Sequence, residues 1–142
     1  MKKPEQILKE WMQAVNEGSL EGLLALYDEK AVLIPTFSNR LLSKPEGVRD
    51  YLSKLCGREE LSIALHEKTL NIQNVGGSIY AIHGIYCWRF AIDGELLSFE
   101  ARFSYMVDVE RQKPILHHHS SQIPRMLRQA KQGYSIRGIC EE

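Results

Sequence analysis

The chain has 142 residues, 44% hydrophobic and 25% charged, the size and composition of one globular domain that can bury its own core. Eighteen Lys and Arg balance eighteen Asp and Glu, so no bulk charge draws it toward nucleic acid or an anionic membrane. No apolar run approaches the roughly 20 residues that span a bilayer, and Met1-Lys2-Lys3-Pro4 leads into an amphipathic segment instead of a signal peptide's apolar stretch, so a cytoplasmic protein is expected.

Apolar residues at Ile7, Leu8, Trp11, Met12 and Val15 recur at the three-and-four spacing of an amphipathic helix that starts at Pro4 and ends at Gly18. Ser19 opens a second short helix running through Leu20, Leu23, Leu24, Leu26 and Tyr27, with Asp28 near its close. A short strand over Ala31 to Pro35 and a polar loop over Thr36 to Ser43 precede a third helix, from Pro45 to Cys56. Strands follow from there on. Leu61 to Val75 alternates in part, Gly76-Gly77 offers a turn, Ile79 to Ile92 is strongly β-forming, and Asp93-Gly94 predicts a two-residue hairpin into Leu96 to Val109. A turn around Arg111 to Lys113 leads into a last strand, through His117-His118-His119-Ser120-Ser121 to Ile123. Helices first and a strand meander afterwards predict an α+β domain, with N-terminal helices packed on a strongly curved antiparallel sheet over residues 1–124. Residues 125–142 read as a basic C-terminal extension able to form a helix, with Arg125, Arg128 and Lys131 at three-residue spacing. Cys56, Cys87 and Cys140 are odd in number and widely spaced, which predicts reduced thiols and places Cys87 in the core.

The segments Ala31 to Asn39, Val48 to Leu52, Ala101 to Tyr105 and His118 to Ser121 with Pro124 resemble bacterial proteins similar to the calcium/calmodulin-dependent protein kinase II association domain. These belong to the nuclear-transport-factor-2-like, or cystatin-like, superfamily. The resemblance implies a cone-shaped domain whose bent sheet wraps a long N-terminal helix, a cavity between the two, and association through the sheet into homodimers or larger rings. It also implies cavity arginines that hold carboxylates, with Arg102 in one of those positions and Ser120 where a second arginine stands in the family. It does not fix a function, because one scaffold of this kind hosts several chemistries.

Strand alternation sorts the candidates further. His117 and His119 share one face of the last strand, and His118 and Ser120 share the other; polar groups on the covered face need partners, and a pocket is where they find them. Phe99, Ala101, Phe103 and Tyr105 form one face of their strand and Glu100, Arg102 and Ser104 the other, so Arg102 is either a ligand fork or part of an ion-pair network with Glu100. His117 and His119 have metal-like spacing, but no carboxylate pattern completes a site, and no metal or cofactor is expected. Glycine-rich phosphate and dinucleotide loops are absent.

Two functions follow. The first is a self-associating, non-catalytic domain whose internal cavity binds a small anionic or carbonyl-bearing molecule through Arg102, His118, Ser120, Tyr86, Tyr105 and Trp88. The alternative is a cofactor-independent acid-base enzyme of the isomerase, dehydratase or cyclase type, with His118 or His119 as base. Both readings require the Arg102 guanidinium and an imidazole to converge in one hollow.

Overall fold

A computed structural model of the chain describes residues 2–124, and the 125–142 extension lies outside the described residues. Helix α1 (Pro4–Glu17) takes Pro4 in its first turn and ends at Gly18, whose φ of 65° lets the chain turn back as its N–H and that of Ser19 close on Val15 and Ala14. Its buried stripe of Ile7, Leu8, Trp11, Ala14 and Val15 lies against the sheet. At about 1.5–3 kcal/mol for each large side chain removed from water, that stripe fixes the helix in place.

The rest follows in chain order: α2 (Leu20–Leu24), β1 (Tyr27–Ile34), α3 (Pro45–Cys56), β2 (Ser62–Leu65), β3 (Asn71–Gly76), β4 (Ile79–Ile92), β5 (Glu95–Asp108) and β6 (Ile115–Gln122). The sheet order is β1-β6-β5-β4-β2, and β3 pairs with the first half of β4 while β2 pairs with a later stretch of it. All pairings are antiparallel except β1 with β6, which is parallel. The α+β architecture agrees with the sequence reading. The long β4–β5 ribbon turns at Asp93-Gly94, where φ values of 52° and 81° match the expected hairpin.

Three elements differ from expectation. Helix α2 stops at Leu24, and Tyr27 and Asp28 belong to β1, because Tyr27 pairs with Ile115 and the Ile115 N–H donates to the Leu26 carbonyl at 2.8 Å. Sheet pairing outweighs local helix propensity there. The expected continuous strand from Leu61 is broken by a 3-10 turn at Glu67–Thr69, in which the Thr69 hydroxyl donates to the His66 carbonyl and accepts the Ile85 N–H. The thiols also divide: Cys56 is free, Cys87 is buried but does not stand as a free thiol, and Cys140 lies outside the described residues.

At the sheet margin, the Asn16 side chain accepts the Ile63 N–H at 2.7 Å and donates to the Ile63 carbonyl at 3.1 Å. Helix α1 thus satisfies the outward-facing backbone of β2 as a neighbouring strand would. No described helix is long and apolar enough to cross a membrane.

Candidate functional site

Register decides which faces meet. β4 pairs Gly84 with Phe103 and Tyr86 with Ala101, and β5 pairs Tyr105 with His118 and Phe103 with Ser120. By alternation, Tyr86, Trp88 and Phe90 of β4, Phe103 and Tyr105 of β5, and His118 and Ser120 of β6 all face α1. Gly84 makes room for Phe103: a Cβ there would lie 2.9 Å from the Phe103 ring.

His118 and Ser120, each 2% exposed, are the buried members of the polar run among the described residues. The imidazole sits between two phenols. Its Nδ1 is 2.7 Å from the Tyr27 hydroxyl and its Nε2 is 3.1 Å from the Tyr86 hydroxyl. The Tyr105 ring stacks on it with centroids 3.9 Å apart, and the Trp11 ring meets it edge-on. The Trp11 indole N–H donates to the Tyr27 hydroxyl at 2.9 Å, while the Thr36 and Ser120 hydroxyls bond one another.

Burial sets the protonation states. It holds the His118 imidazolium form down, so the group's pKa lies well below the usual 6.5 and the ring is neutral. Burial likewise raises the phenols of Tyr27, Tyr86 and Tyr105, which stay protonated donors. An indole N–H can only donate, so the Tyr27 oxygen accepts from Trp11. Tyr27 then spends its own proton on His118 Nδ1, leaving Nε2–H to donate to Tyr86, whose hydroxyl has those of Thr36 and Ser120 beside it. In the opposite tautomer the Tyr27 O–H would have no acceptor. The relay therefore runs from Trp11 toward the Thr36–Ser120 pair.

Beside this relay lies a cavity of about 10 Å³, counted as room for a water's centre, which is the space of about one water. Trp11, Tyr27, Thr36, Trp88, His118 and Ser120 supply its polar and aromatic wall, and Leu33, Pro35, Tyr51, Leu52 and Leu55 the remainder. Among the described residues no charged side chain lines it. Among the described residues, two buried donors near this cluster, the Trp88 indole N–H and the Tyr105 hydroxyl, have no partner at hydrogen-bond distance, the Tyr86 hydroxyl being the neighbour of the second. The larger hollows, of about 460 and 540 Å³, are open grooves along α1 whose linings carry charges of both signs.

Of the residues expected at the site, Tyr86, Trp88, Tyr105, His118 and Ser120 converge. Arg102 and His119 do not. Arg102 is exposed on the opposite face of β5, where it pairs in register with Ser121, and the exposed His119 bonds Ser121 at 2.8 Å. The expected convergence of Arg102 with an imidazole therefore fails, because strand alternation sends Arg102 away from Phe103 and Tyr105. Among the described residues no cation lines the cavity to meet an anion. Tyr27, Thr36 and Trp11 complete the cluster and were not singled out as site residues: Trp11 reads as part of an amphipathic helix stripe, Tyr27 as the end of a short helix and Thr36 as loop, and nothing local marks partners 91 and 84 residues apart in the chain. Among the described residues no group of three or more His, Cys, Asp or Glu is placed to hold a metal ion.

A family model described as SnoaL-like domain matches residues 5–126. Solved structures share the fold. A protein from Xanthomonas campestris, provisionally described as a calcium/calmodulin-dependent protein kinase II association domain, superposes with a TM-score of 0.76 at 20% identity, covering 86% of each chain. A protein from Streptomyces avermitilis, provisionally described as a dehydratase of the NTF2-like family, gives 0.73 at 13% identity over 85% of this chain and 94% of that one. A cystatin-like protein from Caulobacter vibrioides gives 0.70 at 9% identity over 84% and 87%. No curated protein matches.

Proposed function

Since the chain belongs to the SnoaL-like domain family, whose scaffold does not by itself name a chemistry, we propose from its own site that it is a non-catalytic binding domain for a small molecule, held in the cavity beside His118. The observation that carries this reading is the Trp11–Tyr27–His118–Tyr86 relay, placed in a core where hydrocarbon would pack at lower cost. A polar cluster of this kind, facing a hollow, is how binding sites orient a ligand.

Binding accounts for the site better than acid-base catalysis. A general base works best with a pKa near the working pH and a free lone pair. His118 has both nitrogens engaged, and burial weakens its basicity. His119, the other candidate base, lies outside the cavity. Self-association belongs to the same proposal, with Ile92, Leu96 and Met106 exposed along the β4–β5 ribbon.

Native mass spectrometry of gently purified protein tests both parts. The expected spectrum shows an oligomer with one small adduct per chain, lost in Trp88→Phe. A bare monomer mass, with no shift in thermal midpoint across a panel of small uncharged compounds, would refute both.

A further inference from the structure

Resting on the pocket reading above, we infer that the cavity takes an uncharged ligand through an acceptor oxygen, a carbonyl of the ketone, ester or amide class, and discriminates against carboxylates. The argument is an inventory of protons. Trp11, Tyr27 and His118 each spend theirs along the relay, and Tyr86 passes its own to the hydroxyl pair of Thr36 and Ser120. The Tyr105 O–H, with no acceptor at hydrogen-bond distance among the described residues, has the Tyr86 hydroxyl as its neighbour. That leaves the N–H of Trp88, a residue that walls the cavity and is 2% exposed, without an acceptor among the described residues.

Buried donors without acceptors are rare in folded proteins, and each one left so costs free energy. The excess here is of donors. The indole N–H accepts nothing, and among the described residues no carboxylate, Lys or Arg lines the wall. A ligand oxygen, able to accept the Trp88 N–H, fits this deficit. A carboxylate would bring a full charge into a site whose described lining holds no cation: Arg102 is on the other side of the sheet and Arg58 lies over the Phe90 ring, outside that lining, so the charge's desolvation would go largely uncompensated. A hydrocarbon of equal shape would leave the donors as they are.

The wall that yields to admit such a molecule is the segment entering the Pro35–Lys44 loop. Thr36 is latched to Ser120, and the Phe37 N–H reaches the Tyr51 hydroxyl only at 3.3 Å. Phe37 packs edge-on against Trp88, Phe90 and Phe99, so its movement uncovers the Trp88 ring.

The test follows the indole N–H resonances of the ¹⁵N-labelled full chain, assigned with Trp11→Phe and Trp88→Phe variants, during titration with cyclopentanone, methylenecyclopentane and cyclopentanecarboxylate. The expected result is a downfield shift of the Trp88 resonance with cyclopentanone, Trp11 moving less, and affinity at least about tenfold above that of the other two probes. In Trp88→Phe the preference of ketone over hydrocarbon, followed at the Trp11 resonance, falls to within about threefold. If the carboxylate binds as tightly as the ketone, or the hydrocarbon does, the ligand class is overturned while the pocket reading stands. If none of the three moves the Trp88 resonance, both fall, and the cavity holds a structural water.

Discussion

Replacing Tyr27 and Tyr105 by Phe makes the same chemical change twice, and the structure assigns the two variants different outcomes. In Tyr27→Phe the lost hydroxyl had accepted the Trp11 N–H at 2.9 Å and bonded His118 Nδ1 at 2.7 Å. Both partners are left in a region no more than 2% exposed, where bulk water does not reach and only the water-sized cavity beside them could offer a replacement. An orphaned buried polar group costs about 1–3 kcal/mol, and because these two share one partner their costs do not fully add, so about 2–4 kcal/mol is expected. In Tyr105→Phe the lost hydroxyl has no partner at hydrogen-bond distance among the described residues, only the Tyr86 hydroxyl as a neighbour, and the ring keeps its stack on His118. Relief of its desolvation offsets the small packing loss, and the change stays within about 0.5 kcal/mol of wild type. Urea unfolding with equal slopes for all three proteins measures the difference. Should Tyr105→Phe cost as much as Tyr27→Phe, the hydroxyl at 105 has a partner after all and the proton inventory is wrong. Should neither cost anything, the relay contributes nothing to stability.

The neutral state of His118 makes stability depend on pH. Its folded pKa lies below the unfolded value of about 6.5, so below that pH the unfolded chain binds more protons and stability falls as pH drops. One such proton is a slope of about 1.4 kcal/mol per pH unit; the half-buried His117, also held down by burial, adds to it, and His118→Gln removes close to one proton's worth from unfolding curves between pH 5 and 6.5. A slope unchanged in that variant would show the His118 ring already able to protonate in the folded state. Gly84→Ala drives a Cβ to within 2.9 Å of the Phe103 ring and is expected to cost about 1–3 kcal/mol by thermal or urea unfolding, part of it recovered when Phe103→Leu is added. Arg102→Met, on the exposed face, leaves stability within about 0.5 kcal/mol and cyclopentanone affinity within about twofold; a tenfold loss of affinity would restore Arg102 to the site.

The helices-then-meander order, the Asp93-Gly94 hairpin and the shared face of His118 and Ser120 could all be read from spacing, because periods of 3.6 and 2 are local properties. The same alternation already held a conflict. Arg102 and Tyr105 are three residues apart on a regular strand and cannot both face one cavity, yet family resemblance favoured the first and aromatic chemistry the second. The structure resolves this for Tyr105 through its register with His118. Tyr27 was beyond local reading for a different reason. Its leucine-rich surroundings suggest helix, and only pairing with Ile115, far along the chain, makes it a strand residue and brings its hydroxyl to the imidazole. Nor does pattern reveal how nearly the hollow is filled, since that depends on how large rings such as Trp11, Trp88 and Tyr86 interlock.

The carboxamide of Asn16 has a consequence for how copies of this chain can meet. By occupying both peptide groups of Ile63 it takes up hydrogen-bonding groups that a foreign β-segment would need at that margin, so pairing there would first have to break two bonds. Asn16→Ala removes that obstacle at β2 alone.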